Sequence, residues 1–343
     1  MSDLVVILGC CVLGLLAHAS RHKHWLSWVL RVIIAIFLTG EALSALAWVL
    51  VGQESAWPVQ CLMGMSVISL IVLFYSGRRL ISSFLGAIEQ LVSGQLIVAL
   101  LKKENWSKAA FGKNSLVPNS IPHMVGLWIY VTSIGFLLSS ISPQGFKLPS
   151  IPIPLPVSIG QLFTYNGIGL VLLAVCGIGI FITRKWKEAL SRLGLVKPKW
   201  SYVGIGCLLM LVTFFWDYLW SLLTHNLGGN LASKLSGYNE GSFQVGSAIG
   251  PSAWLALATA LCAGIGEETL IRGALQPVLG ILPSALLHGL LHGQFDRAPI
   301  FMIQITCWSV LMGICRRYTN TTTTIIGHAG FNFISTFLFA FNP

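Results

Sequence analysis

The sequence predicts an all-α protein, a polytopic transmembrane helical bundle of about ten spans. Three observations carry that expectation. Hydrophobic residues make up 55% of the 343 residues and charged residues only 9%. Mean hydropathy is +0.78, far from the composition of a soluble domain of this length. Basic residues cluster between apolar runs, so the net charge of +10 reads as positive-inside topology and requires no nucleic-acid partner.

The first apolar run, Leu4 to Ala19, is short, yet Asp3 precedes it without any Lys or Arg, and Arg21-His22-Lys23-His24 comes at once after it. That pattern opposes translocation and predicts a retained first span in place of a signal peptide. Val32 to Val51 and Cys61 to Gly77 come next, with Gln53-Glu54 between them and Arg78-Arg79 after. The alternation places the N-terminus outside. Leu80 to Leu101 is interrupted by Glu89, Gln90 and Gln95 and reads as an interfacial or partly re-entrant helix. This keeps Lys102, Lys103, Lys108 and Lys113 on the side of Arg78-Arg79.

His123 to Ser142 spans, and the prolines at 143, 149, 152, 154 and 156 make a stiff outer linker. Leu162 to Ile182 returns to the most basic loop, with Arg184, Lys185, Lys187, Arg192, Lys197 and Lys199. Tyr202 to Leu223 leads out to a polar loop from Thr224 to Gly250. Four apolar segments close the chain: Ser252 to Val278, Ile281 to Gln294, Ile300 to Cys315 and Ile325 to Phe341. Arg316-Arg317 falls inside and the C-terminus outside. The chain divides into an N-terminal multi-span region, residues 1–183, of no assignable role, and a C-terminal region, residues 184–343. The eight cysteines lie in or beside apolar runs with no CxxC and read as small buried side chains.

One stretch stands apart. Gly266-Glu267-Glu268-Thr269-Leu270-Ile271-Arg272 sets three charges in an apolar segment, where each costs about 3 kcal/mol on insertion scales and so faces protein or water. On an α-helix Glu268 and Arg272 are i and i+4 and share a face, acid first. Glu267 points about 100° away and finds its partners on other helices. Glu268 therefore stays ionised beside Arg272, as a shaping pair or as a salt bridge that only locks helices. Glu267 is left to act as a general base.

His288 and His292 are again i and i+4, which suits a metal site or one catalytic and one supporting imidazole. The pair lacks the internal Glu of the zinc-protease motif. His328 and Asn332 repeat the spacing on the last segment, where they can donate to a developing oxyanion or hydrogen-bond neighbouring helices. Convergence of all three helices on one cavity accounts for the spacing economically. Asp217 and Glu41, alone in apolar spans, line a water path or pair with a neighbouring helix. Thr321 to Thr324, before the last span, read as a loop and helix cap, and no Gly-x-Ser-x-Gly elbow supports a serine nucleophile.

Glu267-Glu268-x-x-x-Arg272, a histidine in a short following helix, and His328-x-x-x-Asn332 resemble the three-motif signature of the CAAX protease and bacteriocin-processing family of intramembrane proteases, which includes the type II CAAX prenyl endopeptidases. The resemblance covers about residues 252–341, and Arg192-Leu193-Gly194-Leu195 with Lys197-Pro198 is similar to the approach to that family's core helices. The family's second motif is Phe-x-x-x-His. Here His288 stands at the Phe position and His292 at the His, so the resemblance gives His292 the catalytic role and leaves His288 to tune the site or contact an altered substrate.

The resemblance implies a C-terminal four-helix catalytic core. Glu267 with His292 would activate water, His328 and Asn332 would hold the oxyanion, and Glu268 with Arg272 would shape the site. No cofactor is expected; a divalent metal such as zinc on Glu267, His292 and His328 is the alternative. The expected partners are the lipid bilayer and a membrane-anchored or secreted peptide, lipidated or not. The expected location is the inner membrane of a prokaryote or the endoplasmic reticulum of a eukaryote. A rival reading is a proton-coupled transporter with Glu267, Glu268, His292 and His328 as its relay, and another is a catalytically idle immunity or scaffold protein.

Overall fold

The computed structural model describes residues 2–50, 56–92, 116–141, 160, 162–224, 253–292 and 299–341. The basic loop from Lys102 to Lys113, the proline-rich linker and the loop after Thr224 lie outside these. Apolar runs with few interior breakers satisfy their backbone internally, and among the described residues every named element is helical.

The N-terminal region holds α1 (Ser2–Ala19), α2 (His24–Leu50), α3 (Ala56–Leu73), α4 (Tyr75–Val92) and α5 (Ile121–Ser139). The side chain of Ser120 accepts from His123 N at the start of α5, and Pro122 occupies the first turn, where its missing N–H costs nothing. The third apolar run does not continue to Gly77. The chain bends by 106° between Trp57–Leu73 and Tyr75–Val92. Arg78 sits inside the bend, not in a loop: it is buried and donates to Val72 O at 2.7 Å, Leu73 O at 2.9 Å and Pro118 O at 2.5 Å. A buried cation thus neutralises carbonyls at the α3 C-terminus, which is why the turn falls there. The helix expected from Leu80 begins at Tyr75 and is described to Val92; the remainder of that stretch, residues 93–101, lies outside the described residues.

A π-helical stretch, Leu162–Gly169, runs into α6 (Leu170–Gly177). The short amphipathic α7 (Trp186–Leu193) stops at Gly194, whose φ of 71° is the left-handed region that favours glycine. Then come α8 (Trp200–Thr224), α9 (Ala253–Glu268), a second π stretch (Thr269–Leu275), α10 (Gln276–Leu279), α11 (Ile281–Leu291), α12 (Pro299–Tyr318) and α13 (Thr321–Phe341). Asn320 caps α13 by accepting from Thr323 N at 2.9 Å. The segment from Ser252 to Val278 is therefore three helical pieces of different winding.

Among the described residues four helices are long and apolar enough to cross a membrane: His24–Ala47, Ile121–Ser139, Trp200–Thr224 and Pro299–Tyr318; the bent pair makes five if counted as one span. Leu4–Ala19, Phe163–Gly177 and Ile281–Leu291 are apolar but shorter. Ile36 and Phe37 on α2, and Leu208, Leu211 and Phe215 on α8, are exposed as a lipid-facing surface requires. All eight cysteines are free thiols; Cys11, Cys176 and Cys262 are buried, whereas Cys207 and Cys307 are exposed.

The C-terminal core is set by close approach. A Cβ on Gly264 would lie 2.8 Å from that of Ala329 on α13, and one on Gly266 only 1.7 Å from Asn166 O. Glycine at both positions lets α9 bring its acidic end between α13 and the first π stretch. Arg192 of α7 donates to Gly273 O at 3.0 Å, and Thr321 Oγ1 donates to Leu193 O at 2.6 Å, so the basic approach docks under the second π stretch and the start of α13. Burial, with Arg184 and Arg316 as further causes, lowers Arg192 to about 10, so it remains a cation at neutral pH.

Candidate active site

Glu267 and Glu268 end α9. Glu268 and Arg272 are fully buried, and Arg272 Nε lies 3.3 Å from Glu268 Oε2. The pair is close without hydrogen-bond alignment, since Arg272 Nε, Arg272 Nη1 and Glu268 Oε2 all lack a hydrogen-bond partner. π winding begins at Thr269, so Glu268 and Arg272 are not joined by regular α-helix. Arg272 Nη2 turns instead to Ser309 Oγ at 2.8 Å and His288 Nδ1 at 3.3 Å. The other Glu268 oxygen, Oε1, accepts from His328 Nδ1 at 3.1 Å.

Glu267 has a different environment. Its side chain keeps 14% exposure, and Oε2 lies 2.7 Å from His288 Nε2. His288 is fully buried, with Ser309 Oγ 3.1 Å from Nδ1. Arginine only donates, so Nδ1 of His288 accepts and Nε2 carries the hydrogen directed at Glu267. The imidazole thus donates to the carboxylate, and the expected partner of Glu267, His292, is not its closest one. His292 is half-buried at the α11 C-terminus and donates from Nδ1 to His288 O at 2.8 Å, which leaves the lone pair of the neutral ring on Nε2.

The rings of His288 and His292 stand 5.0 Å apart and those of His288 and His328 6.0 Å apart. Trp308 fills the space beside them, 5.5 Å from His288 and edge-on to His328 at 4.8 Å. Its Nε1 donates to Thr213 Oγ1 at 3.0 Å, so α8 fixes the indole. Asn332 lies one turn beyond His328 and is half-buried.

Among the described residues Glu267, His288 and His292 each offer a ligand atom within 4.8 Å of the others and could hold a metal ion. This differs from the set expected from sequence: His328 is turned to Glu268, and His288 takes its place. Asp217 accepts from Gln304 Nε2 at 2.9 Å and so pairs with the neighbouring α12.

Ser309, Trp308 and Thr213 are not legible in the sequence as site residues. Ser309 and Trp308 lie in the apolar run of α12, and the oddity of a lone serine there is the one cue the sequence offers. His288 carries the clearer signal, as a histidine where an aromatic is expected.

Residues 249–334 match the family model described as type II CAAX prenyl endopeptidase Rce1-like. The match encloses Glu267 through Asn332 and supports the assignment of this region to the CAAX protease and bacteriocin-processing family. No curated protein and no solved structure matches the chain significantly.

Proposed function

We propose that this chain is a multi-pass membrane endopeptidase that hydrolyses peptide bonds of membrane-associated substrates by glutamate-activated water. The observation that carries the proposal is the division between two adjacent carboxylates. Glu268 is sealed between Arg272 and His328, while Glu267 is clamped by one imidazole and still partly exposed.

In this reading Glu267 is the general base and His292, through Nε2, helps to orient the water. The water oxygen attacks the peptide carbonyl carbon and its proton passes to Glu267. His328 and Asn332 donate to the oxyanion, and the proton on Glu267 goes to the departing amine as the C–N bond breaks. His288 holds Glu267 in the geometry for attack, and Glu268 with Arg272 supports His328 and His288 from behind. The substrate is a membrane-anchored or secreted peptide, lipidated or not, in an inner or endoplasmic reticulum membrane.

The mechanism needs no metal. A metal on Glu267, His288 and His292 would act as a Lewis acid on water or carbonyl, and the three donors fit it by distance. They do not fit by protonation, because His288 presents N–H, not a lone pair, to Glu267 while Arg272 donates to its other nitrogen.

The test is purified full-length protein in nanodiscs with membrane-anchored peptides, product termini being read by mass spectrometry. Wild type should cleave and Glu267→Gln should not. Full cleavage by Glu267→Gln would remove the base from the proposal. Proton flux in proteoliposomes without any cleavage would favour a transporter.

A further inference from the structure

The helix that presents His288 and His292 begins at Ile281, and no side chain of its own caps it. Gly280, at φ 95°, has none to offer. The acceptor for the first N–H comes from far away in the chain: Glu89 Oε2 on α4 accepts from Ile281 N at 2.6 Å. A carboxylate there satisfies an orphan donor and complements the positive end of the helix dipole. The second oxygen, Oε1, forms an ion pair with Arg317 in the last turn of α12. Arg316 is the other cation facing it. Glu89 is 6% exposed, so the carboxylate is buried with both oxygens engaged.

Glu89 therefore holds the start of the histidine helix and the end of the helix that supplies Ser309 and Trp308. The two helices are already close there: a Cβ on Gly313 would lie 2.8 Å from Ile281 Cγ2. At the other end of α11, the 2.7 Å contact between His288 and Glu267 tolerates a displacement of a few tenths of an ångström, whereas sliding a helix by one residue moves it about 1.5 Å.

We infer that Glu89 is a positioning residue for the proposed peptidase: its carboxylate clasps α11 to α12 and sets the depth at which His288 and His292 meet Glu267. Glu89 lies outside residues 249–334, so the N-terminal region is part of the working active unit and not a detachable addition. The inference rests on the peptidase reading of that site.

The experiment compares wild type, Glu89→Ala, Glu89→Gln and Arg317→Gln as full chains in nanodiscs by hydrogen–deuterium exchange of peptides covering residues 276–292 and by steady-state cleavage. Glu89→Ala should exchange faster over residues 281–291, leave α2 and α5 unchanged, and lose about tenfold to a hundredfold in kcat with little change in KM. Glu89→Gln retains an acceptor for Ile281 N but loses the charge pair, and should fall between. Wild-type exchange over residues 281–291 and wild-type kcat in Glu89→Ala would overturn the clasp. Faster exchange in every helix with unchanged kcat per folded molecule would reduce Glu89 to a general structural role. Absence of cleavage by wild type would defeat the peptidase reading, and the exchange of residues 281–291 alone would then decide whether Glu89 fixes α11.

Discussion

His288 Nε2 lies 2.7 Å from Glu267 Oε2, and the same ring receives Arg272 Nη2 at 3.3 Å on its other nitrogen. A chain of donors thus runs from a buried cation through a neutral imidazole to the open carboxylate. Replacing His288 with Phe, the residue type at this position of the resembled motif, removes the donor to Glu267 and leaves Arg272 with one acceptor fewer. We expect kcat to fall by about tenfold to a hundredfold and stability by about 1–3 kcal/mol, read by cleavage kinetics and thermal unfolding in the same detergent.

The two carboxylates should separate cleanly on substitution. Glu267→Gln should lose turnover while the unfolding midpoint stays near that of wild type. Glu268→Gln leaves the fully buried Arg272 without its counter-charge, a loss of about 3–5 kcal/mol where a buried pair is broken. Equal loss of stability in both variants would show that the carboxylates share one structural task.

Because His328 Nδ1 points at the Glu268 carboxylate, the single hydrogen of the neutral ring resides on Nδ1 and Nε2 has none to give. Donation from Nε2 to an oxyanion then requires the doubly protonated ring. His328→Ala should lower kcat by about a hundredfold, and His328→Gln, whose amide can still donate, should recover part of that loss, both read by cleavage kinetics. Wild-type kcat in His328→Ala would remove His328 from the oxyanion site.

Exhaustive chelation should leave cleavage intact, and added zinc should not raise it. Stoichiometric metal in the active preparation, with activity lost on removal and restored on return, would replace the base mechanism with a Lewis-acid one.

The helical membrane class is legible in the sequence because span length and apolar content are local properties, and the acid-first spacing of Glu268 and Arg272 by itself separates the two carboxylates. The partner of Glu267 is not legible, because it depends on the height of one helix against another. His288 and His292 are equivalent in sequence spacing, and only packing turns the first toward the carboxylate. Glu89 shows the same limit: in the sequence it interrupts an apolar run, and only the fold supplies the helix start and the arginine that explain its burial. Thr269-Leu270-Ile271 gives no hint of π winding, since all three fit an ordinary helix.

That winding has one more effect. A π stretch accommodates an additional residue relative to α geometry, which rotates the downstream turns by about 100° against the upstream ones. Glu267 and Glu268 can therefore be phased to the histidines of α11 and α13, while Gln276, just after the stretch, is phased to donate to Gly313 O at 2.8 Å. A regular helix would tie both orientations to a single stripe. Here the helix acts as a shaft with a fixed coupling in the middle, and deleting one residue from Thr269–Leu275 would throw the charges and the anchoring amide out of alignment together.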